Sequence, residues 1–433
     1  MANYNESKMI RRQYITLTPF ILILLFLGAL AALQLPNLFN LPSSSVIILP
    51  FEVIASDLDG PRGIAFGPDG ALYIAEAGRG GDGPCIPGSE NMLCFGLSGA
   101  VTRVMNGQQQ RIVTDLPSLV SSDGSEGAGP HDVSIRNDDV FVLVGLGADP
   151  DIRNGETLHD SAGNLGTIIR LLDGSGWETI VDISAHEAST NPDGGNIDSN
   201  PFALVTLEGG FIVVDAAAND VIGVDAHNNV STLAVFPDGL ADAPPFLDLA
   251  PGAKVPIQSV PTSIALGPDG DYYIGQLTGF PFPVGAANIF RMAQGEEPVV
   301  FADGFTNIID LAFDDDGNLW VLEIAGNSLL ADEPDGALIR VSHNGKRETV
   351  TSEGLTMPTG IAIGPDNSIY ISNCGVCLGS GEVVRIPDVV HETPGEGNAT
   401  ALQLTWTGLI VSVGVTSAGG LFLIARKRVG AAK

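Results

Sequence analysis

The stretch PRGIAFGPDGALYIAE, residues 61–76, decides the fold because variants of it recur along the chain. It joins two apolar runs through a Gly-Pro-Asp-Gly turn, in which the proline presets φ and the last glycine supplies a positive φ. Apolar runs separated by such a turn indicate a β-hairpin. The other copies are PHDVSIRNDDVFVLV (130–144), PFALVTLEGGFIVVD (201–215), PTSIALGPDGDYYIGQ (261–276), IIDLAFDDDGNLWVLE (308–323) and PTGIAIGPDNSIYISN (358–373).

Each copy is followed by a third candidate strand, and five of the six copies are followed by a fourth. The missing fourth strand lies before the first copy, at residues 51–55. A strand from the N-terminus that completes the last repeat closes a ring and hides its edges. The sequence therefore predicts an all-β fold, a six-bladed β-propeller closed by an N-terminal strand. A solenoid is the alternative, but it would not need that strand.

Both ends of the chain are typical of membrane segments. Three basic residues precede the apolar run 20–33, and the apolar run 404–425 is followed directly by Arg-Lys-Arg. Since positive residues stay in the cytoplasm, both ends place the body of the protein outside it. The predicted organisation has five parts: a signal peptide or N-terminal anchor (1–35), the propeller (36–389), a linker (390–403), a transmembrane helix (404–425) and a basic cytoplasmic tail (426–433).

The body of the chain is strongly acidic. Residues 36–425 hold 13 Lys and Arg against 50 Asp and Glu, a net charge of −37. Such a surface repels phosphate backbones, so no nucleic-acid partner is expected. The predicted location is extracytoplasmic, at the cell surface or in the periplasm, with the membrane contacted through the C-terminal helix.

The two faces of the predicted ring differ. The innermost strands begin at one face, here called the top face, where the connections are long; the connections at the opposite, bottom face are tight turns. Long irregular loops favour a binding function for the top face, with an unidentified small molecule or protein as partner. The candidate ligand-binding residues are Arg62, His131, Asp132, Phe280 and Phe282, with Thr262, Asp310 and Thr359 also near the strand starts. The aromatic, proline-stiffened loop 279–285 has two alternative predicted roles: it binds a ring-containing ligand, or it caps the end of the barrel.

A second set of polar residues ends the second strand of four repeats: Glu76, Asp215, Glu323 and Asn373. Oxygen ligands of this kind suit a hard cation, so Ca²⁺ is the expected cofactor at these residues, and a bound metal could activate water. The alternative is structural, because polar residues at strand ends also cap the following turn. No catalytic motif is present, so the sequence leaves open whether the protein is an enzyme.

The cysteines lie in two top loops, Cys85 and Cys94 in the first repeat and Cys374 and Cys377 in the sixth. Outside the cytoplasm disulfides are expected. Proximity favours the pairs 85–94 and 374–377, although a cross-link between the two blades, or four thiolates on Zn²⁺, is also compatible with the spacing.

Four segments together resemble a known family: LDGPRGIAFGPDGALYIAEAG (58–78), NPDGGNIDSNPF (191–202), GQLTGFPFPVGAANIFRM (275–292) and GEVVRI (381–386). They are similar to the six-bladed NHL and TolB-like propellers and more closely to the ScyD/ScyE family, named for gene clusters that make the pigment scytonemin. The resemblance covers about residues 51–387 and implies an exported propeller; it implies neither pigment synthesis nor a catalytic set.

Two functions follow from these observations. The first is an exported, membrane-tethered binding or scaffold propeller that uses its top face. The second is a Ca²⁺-dependent hydrolase of the gluconolactonase kind, or an enzyme of secondary metabolism, with metal ligands from the ends of the second strands.

Overall fold

The computed structural model describes residues 51–387 except 90, 156 and 175, and its strands form a ring of six antiparallel blades. The all-β six-bladed propeller predicted from the repeats is confirmed. The predicted segments 1–35, 390–403, 404–425 and 426–433 lie outside the described residues. Within residues 51–387 no helix is long and apolar enough to cross a membrane.

The first strand closes the ring. Strand β1 (Glu52–Asp59) pairs with the last strand of the sixth blade, far away in sequence, and thereby completes that blade. It extends past the predicted end at residue 55 because bulges keep it in register with its partner. The strands of blade 1 are β2 (Pro61–Phe66), β3 (Leu72–Glu76), β4 (Cys85–Pro87), β5 (Met92–Met105), β6 (Gln108–Ser121) and β7 (Gly127–Ala128).

Blades 2 to 6 follow the predicted order, each with its innermost strand first. Blade 2 consists of β8 (Pro130–Arg136), β9 (Asp139–Val144), β10 (Thr167–Leu171) and β11 (Trp177–Asp182), and blade 3 of β12 (Pro201–Leu207), β13 (Gly210–Asp215), β14 (Asp220–Val224) and β15 (Val230–Val235). Blade 4 consists of β18 (Pro261–Leu266), β19 (Tyr272–Gln276), β20 (Ala287–Met292) and β21 (Val299–Phe305). Blade 5 consists of β22 (Ile308–Phe313), β23 (Leu319–Glu323), β24 (Ala337–Val341) and β25 (Arg347–Thr351). Blade 6 consists of β26 (Gly360–Ile363), β27 (Ile369–Asn373) and β28 (Leu378–Ile386).

Several top connections expected as irregular loops carry secondary structure. The segments 77–98 and 117–129 extend the sheet of blade 1 through β4, β7 and the long ends of β5 and β6. Helix α1 (Ser184–Thr190) follows blade 2. A separate hairpin of β16 (Gly239–Asp242) and β17 (Lys254–Ile257) precedes blade 4. Short 3₁₀ helices lie at Pro150–Arg153, Asp160–Asn164 and Pro245–Leu247.

The core consists of apolar layers between neighbouring blades. Alternate residues of each strand face the next blade, so one layer contains side chains of two sheets. Phe141 of blade 2 and Phe211 of blade 3, for example, meet edge to face with ring centroids 5.0 Å apart. Apolar burial of this kind is the main stabilising contribution, at about 25 cal/mol per Å² of buried surface.

The Gly-Pro-Asp-Gly turns are structural features of the bottom face. Asp69 accepts a hydrogen bond from the backbone of Ala71 at 3.0 Å and forms a salt bridge with Arg103 of the third strand at 2.6 Å. The same pairing occurs between Asp269 and Arg291, and between Asp366 and Arg385. In these three blades an arginine of the third strand therefore fastens the turn of its own blade.

Both disulfides predicted from proximity are present. Cys85 pairs with Cys94 across the short β4–β5 ladder, and Cys374 pairs with Cys377 in the top loop of blade 6. In residues 51–387 no cysteine is free. The cross-blade link and the zinc site are therefore excluded in this structure.

Candidate functional site

The six innermost strands surround a central channel, and each begins at the top face. Two rings of equivalent residues follow from the repeat. The first ring consists of Arg62, His131, Phe202, Thr262, Ile309 and Thr359. The second ring, one residue deeper, consists of Gly63, Asp132, Ala203, Ser263, Asp310 and Gly360.

Arg103, Arg291 and Arg385 each pair with a carboxylate of a bottom-face turn. Arg62 differs from them because it has no ion-pair partner in the described part of the chain. Its side chain is half-buried, and the buried Nε atom lacks a hydrogen-bond partner. Burial lowers the pKa of this guanidinium to about 10, which still leaves it charged near neutral pH. The channel entrance thus holds a partly desolvated cation that forms no ion pair with any described carboxylate.

His131 lies beside Arg62 and links two blades. Its Nδ1 atom is 3.2 Å from the carbonyl oxygen of Pro201, which can only accept, so Nδ1 carries the proton. Burial, and then the charge of Arg62, lower the pKa of His131 to about 3. The imidazole is therefore neutral at physiological pH, and it packs against Phe202 with ring centroids 4.8 Å apart.

Asp132 and Asp310 are the two carboxyl groups of the second ring, and they make equivalent contacts in blades 2 and 5. One oxygen of Asp132 accepts from the backbone N–H of Leu204 in blade 3 at 2.8 Å, and one oxygen of Asp310 accepts from Ile361 in blade 6 at 2.8 Å. Gly63 of blade 1 makes room for the Asp132 side chain, because a Cβ at this position would lie 2.1 Å from Oδ1 of Asp132. The two carboxyl groups therefore join adjacent blades and remain half-buried at the channel.

Both carboxyl groups bind protons more tightly than usual. Burial raises the pKa of Asp310 to about 7, and burial together with the charge of Asp310 raises the pKa of Asp132 well above its ordinary value. Groups that titrate near neutral pH in a cleft are suited to proton transfer. Asp310 is therefore suited to proton transfer at the channel.

These shifts predict a pH dependence of stability. Because the pKa of Asp310 is higher in the folded state, its contribution to stability is complete below about pH 4 and is lost as the pH rises through about 7. Urea unfolding should therefore show a free energy of unfolding that falls from pH 5 to pH 8, and Asp310→Asn should reduce the fall. Asp225→Asn is the control, because this exposed carboxylate has a lowered pKa and stays ionised over the range. Equal slopes in wild type and Asp310→Asn would contradict the prediction.

The remaining side of the channel entrance is apolar. Phe202, Leu277, Leu329 and Met357 are half-buried and pack against one hydrophobic cluster that includes Ile309. They come from blades 3 to 6, whereas the charged residues come mainly from blades 1 and 2. The entrance is therefore amphipathic.

The backbone at this entrance is locally strained. Val260 and Met357, each directly before an innermost strand or its first proline, have φ values of 51° and 42°. A β-branched residue in this region is an outlier, and such strain concentrates at ligand sites.

The predicted aromatic residues lie in the top loop that follows β19 of blade 4. Phe280 is 43% exposed, and its ring contacts Phe282 and Phe246 with centroids 6.3 and 6.2 Å away. The carbonyl of Phe282 accepts a hydrogen bond from Ser328 of blade 5 at 2.8 Å. The aromatic loop is thus fixed across two blades and presents an apolar surface to solvent.

The four predicted metal ligands do not come together. Glu76 accepts from Thr102, Arg111 and the backbone of Asp59, and Asp215 accepts from Ser199 and from the backbone at 200, 217 and 218. Glu323 and Asn373 each accept a backbone N–H from the segment that enters their blade, Thr306 at 2.7 Å and Thr356 at 2.8 Å. Within residues 51–387 no group of three His, Cys, Asp or Glu side chains is arranged to hold a metal ion. In this structure the four residues act as caps of their own blades.

Of the predicted binding residues, the structure brings Arg62, His131 and Asp132 together at the channel, with Asp310 across from them. Phe202, Leu277, Leu329 and Met357 were not predicted. Phe202 could have been found, since it occupies the repeat position of Arg62 and His131; the other three come from loops that have no common pattern.

Comparison with protein-family models finds no match, and comparison with curated proteins finds none. The ScyD/ScyE resemblance therefore stays a prediction. Among solved structures the chain is similar to virginiamycin B lyase from Staphylococcus aureus (12% identity over 77% of this chain and 99% of that chain, TM-score 0.42). It is also similar to a putative oxidoreductase (glucose dehydrogenase) from Thermus thermophilus (15%, 78% and 99%, 0.44) and to a putative gluconolactonase (9%, 79% and 93%, 0.45). At these identities the likeness concerns the propeller architecture alone.

Proposed function

We propose that the protein is a binding propeller whose channel entrance takes a small molecule with an anionic group on an apolar, ring-containing body. The observation that carries this proposal is Arg62, which is half-buried and has no ion-pair partner among residues 51–387, in a chain with a net charge of −31. A desolvated guanidinium without a carboxylate partner is costly, and a bound anion would remove that cost.

The apolar side supports the second half of the proposal. Phe202, Leu277, Leu329 and Met357 give an apolar surface on which a ring can pack, and His131 contacts this surface through Phe202. Ligand sites combine a mostly apolar lining with a few polar groups that fix orientation. An aromatic carboxylate or sulfonate satisfies both conditions.

Anilinonaphthalene sulfonate is a suitable probe, because it is an aromatic anion whose fluorescence rises on binding. Arg62→Met should weaken its binding at least about tenfold, which corresponds to about 1.4 kcal/mol. Arg291→Met is the matched control, because this arginine forms its salt bridges on the bottom face. Equal affinity in the two variants would refute the channel site, and a loss confined to Phe280→Ser would place the probe on the aromatic loop.

The second candidate is an acid–base hydrolase, favoured by the pKa of about 7 at Asp310 in a channel that also holds the neutral His131. A carboxyl group that is half protonated near neutral pH can give and take a proton during ester or lactone opening. Dihydrocoumarin hydrolysis, followed by absorbance, tests this reading. Activity that disappears in Asp310→Asn would support it, and inactivity of the wild type would leave the binding function alone.

The proposed location is outside the cytoplasm, with the ring tethered to a membrane by the predicted helix 404–425. The two disulfides support this location, because such bonds persist in oxidising compartments. A cysteine-reactive label that cannot cross membranes should then fail to react with the native ring and react after reduction of intact cells.

A further inference from the structure

The top of blade 3 holds a group of carboxylates that the channel does not use. Asp215 and Asp220 are direct partners at the ends of β13 and β14. Glu187 comes from helix α1, and Asn191 ends that helix in the left-handed conformation with φ 39°. Three different segments therefore deliver polar side chains to one end of one blade.

Two of these carboxylates are buried without any donor. Glu187 is 1% exposed and Asp220 is 0% exposed, yet none of their four carboxylate oxygens has a hydrogen-bond partner in the described residues. Oδ1 of Asn191 is buried and unpartnered as well. Buried polar atoms are nearly always paired, and an unpaired buried carboxylate is among the most costly groups. Five oxygen atoms at the top of blade 3 therefore lack a partner among the described residues.

Hydrogen bonds around Asp193 link Asn191 to Asn219, the residue directly before Asp220. Asn219, next to Asp220 in sequence, donates through Nδ2 to Asp193 at 3.1 Å. Gly195 donates its N–H to Asp193 at 2.7 Å, and the carbonyl of Gly195 accepts from Nδ2 of Asn191 at 3.0 Å. Because Nδ2 is used in this way, Oδ1 of Asn191 is the atom left for another partner.

The negative charges of Glu187 and Asp220 are not balanced by a positive group among the described residues. Burial, and then the charges of Asp215, Asp193 and Asp198, raise the pKa of Glu187 to about 7. Burial, followed by Asp215 and Glu187, raises the pKa of Asp220 well above its ordinary value. Every charged neighbour that acts on these two groups is another carboxylate. The cluster therefore favours a positive charge.

We propose that Glu187, Asp220 and Asn191 form a binding site for a divalent cation of the Ca²⁺ class. Two carboxylates and an amide oxygen are hard ligands, and their five free oxygens approach the six to eight that Ca²⁺ prefers. The donor set has two acids, so it differs from the groups of three His, Cys, Asp or Glu that are absent from residues 51–387. Waters or loop carbonyls would supply the remaining ligands.

Such a cation would fasten α1 and the loop 191–200 to the hairpin of blade 3. The site is independent of the ligand proposed for the channel. It also differs from the four strand-end residues, because only Asp215 is common to both regions, and its carboxylate already accepts four hydrogen bonds.

The test is a thermal-unfolding series on the full chain after removal of metals with a chelator. Millimolar CaCl₂ should raise the Tm of the wild type, and MgCl₂ should raise it less, because Mg²⁺ needs a regular octahedron. Glu187→Gln with Asp220→Asn should abolish the calcium response. The metal-free double variant should melt above the metal-free wild type, because two repelling carboxylates are gone.

Glu323→Gln is the matched control, because Glu323 is also buried with a raised pKa but lies in blade 5. It should keep the full calcium response. Terbium luminescence gives a second readout that does not depend on stability: the wild type and Glu323→Gln should bind Tb³⁺, and each single variant, Glu187→Gln or Asp220→Asn, should bind it at least tenfold more weakly. A wild type that responds to neither ion, or a response that survives in the double variant, would overturn the proposal.

Discussion

Replacement of Arg111 by methionine should lower the free energy of unfolding by about 2 to 3 kcal/mol. Arg111 donates to the carboxylate of Glu76 at 2.6 and 3.0 Å, and Glu76 is fully buried. Loss of one partner of a buried pair costs about 3 to 5 kcal/mol, since the other charge stays buried. We expect a lower value because the Arg111 side chain is 38% exposed and water screens part of the interaction.

Arg103→Met provides the matched control for this experiment. Arg103 forms a similar salt bridge with Asp69 at 2.6 Å, but both side chains are substantially exposed, 31% and 43%. Exposed pairs contribute about 0 to 1 kcal/mol. Urea denaturation with an unchanged m value measures both variants. If the two substitutions cost the same, burial of Glu76 does not determine the energy of this contact.

Leu58→Ala should cost about 2 to 5 kcal/mol, the second large effect. Leu58 belongs to the closing strand β1 and is 0% exposed, within a cluster that includes Ile64, Leu72 and Val383. The cavity would loosen the one strand that joins the two ends of the ring. Val53→Ala is the control, because Val53 lies in the same strand with 55% exposure and should change stability by less than about 0.5 kcal/mol.

A comparison of the Leu58→Ala and Val53→Ala variants also tests cooperativity. If β1 is part of one folding unit, the unfolding transition of Leu58→Ala should stay single and shift to lower urea. A separate early transition would show that blade 6 opens independently of the other blades, contrary to our expectation.

The repeats determine most of the fold. A turn such as that at Asp69 and the alternation of apolar residues are local signals, and six copies of them predict the ring and its closure. The extension of blade 1 is a different case. Its glycines allow two backbones to approach, since a Cβ at Gly96 would lie 2.1 Å from the carbonyl oxygen of Gly80. In sequence these glycines are typical of a loop, so the pairing of residues 77–98 was not predicted.

The candidate site shows the same limit. Position in the repeat places Arg62, His131 and Asp132 at the channel, because equivalent positions of a ring meet at its centre. Position also placed Glu76 and Asp215 at one face, but it does not show which backbone N–H groups reach them. Those donors come from the segments that enter each blade, and they make the two residues caps. Helix α1 and its unpartnered Glu187 had no counterpart in the repeats.

The pairing of β1 with β28 has a consequence for biosynthesis. The ribosome makes β1 before any other described strand and its partner last, with more than 300 residues between them. During translation β1 has an open edge, and such edges are prone to pair with other chains. A chain that emerges slowly is therefore exposed to misassembly for the whole synthesis of the ring, and a chaperone or rapid export would protect one short segment, residues 52–59.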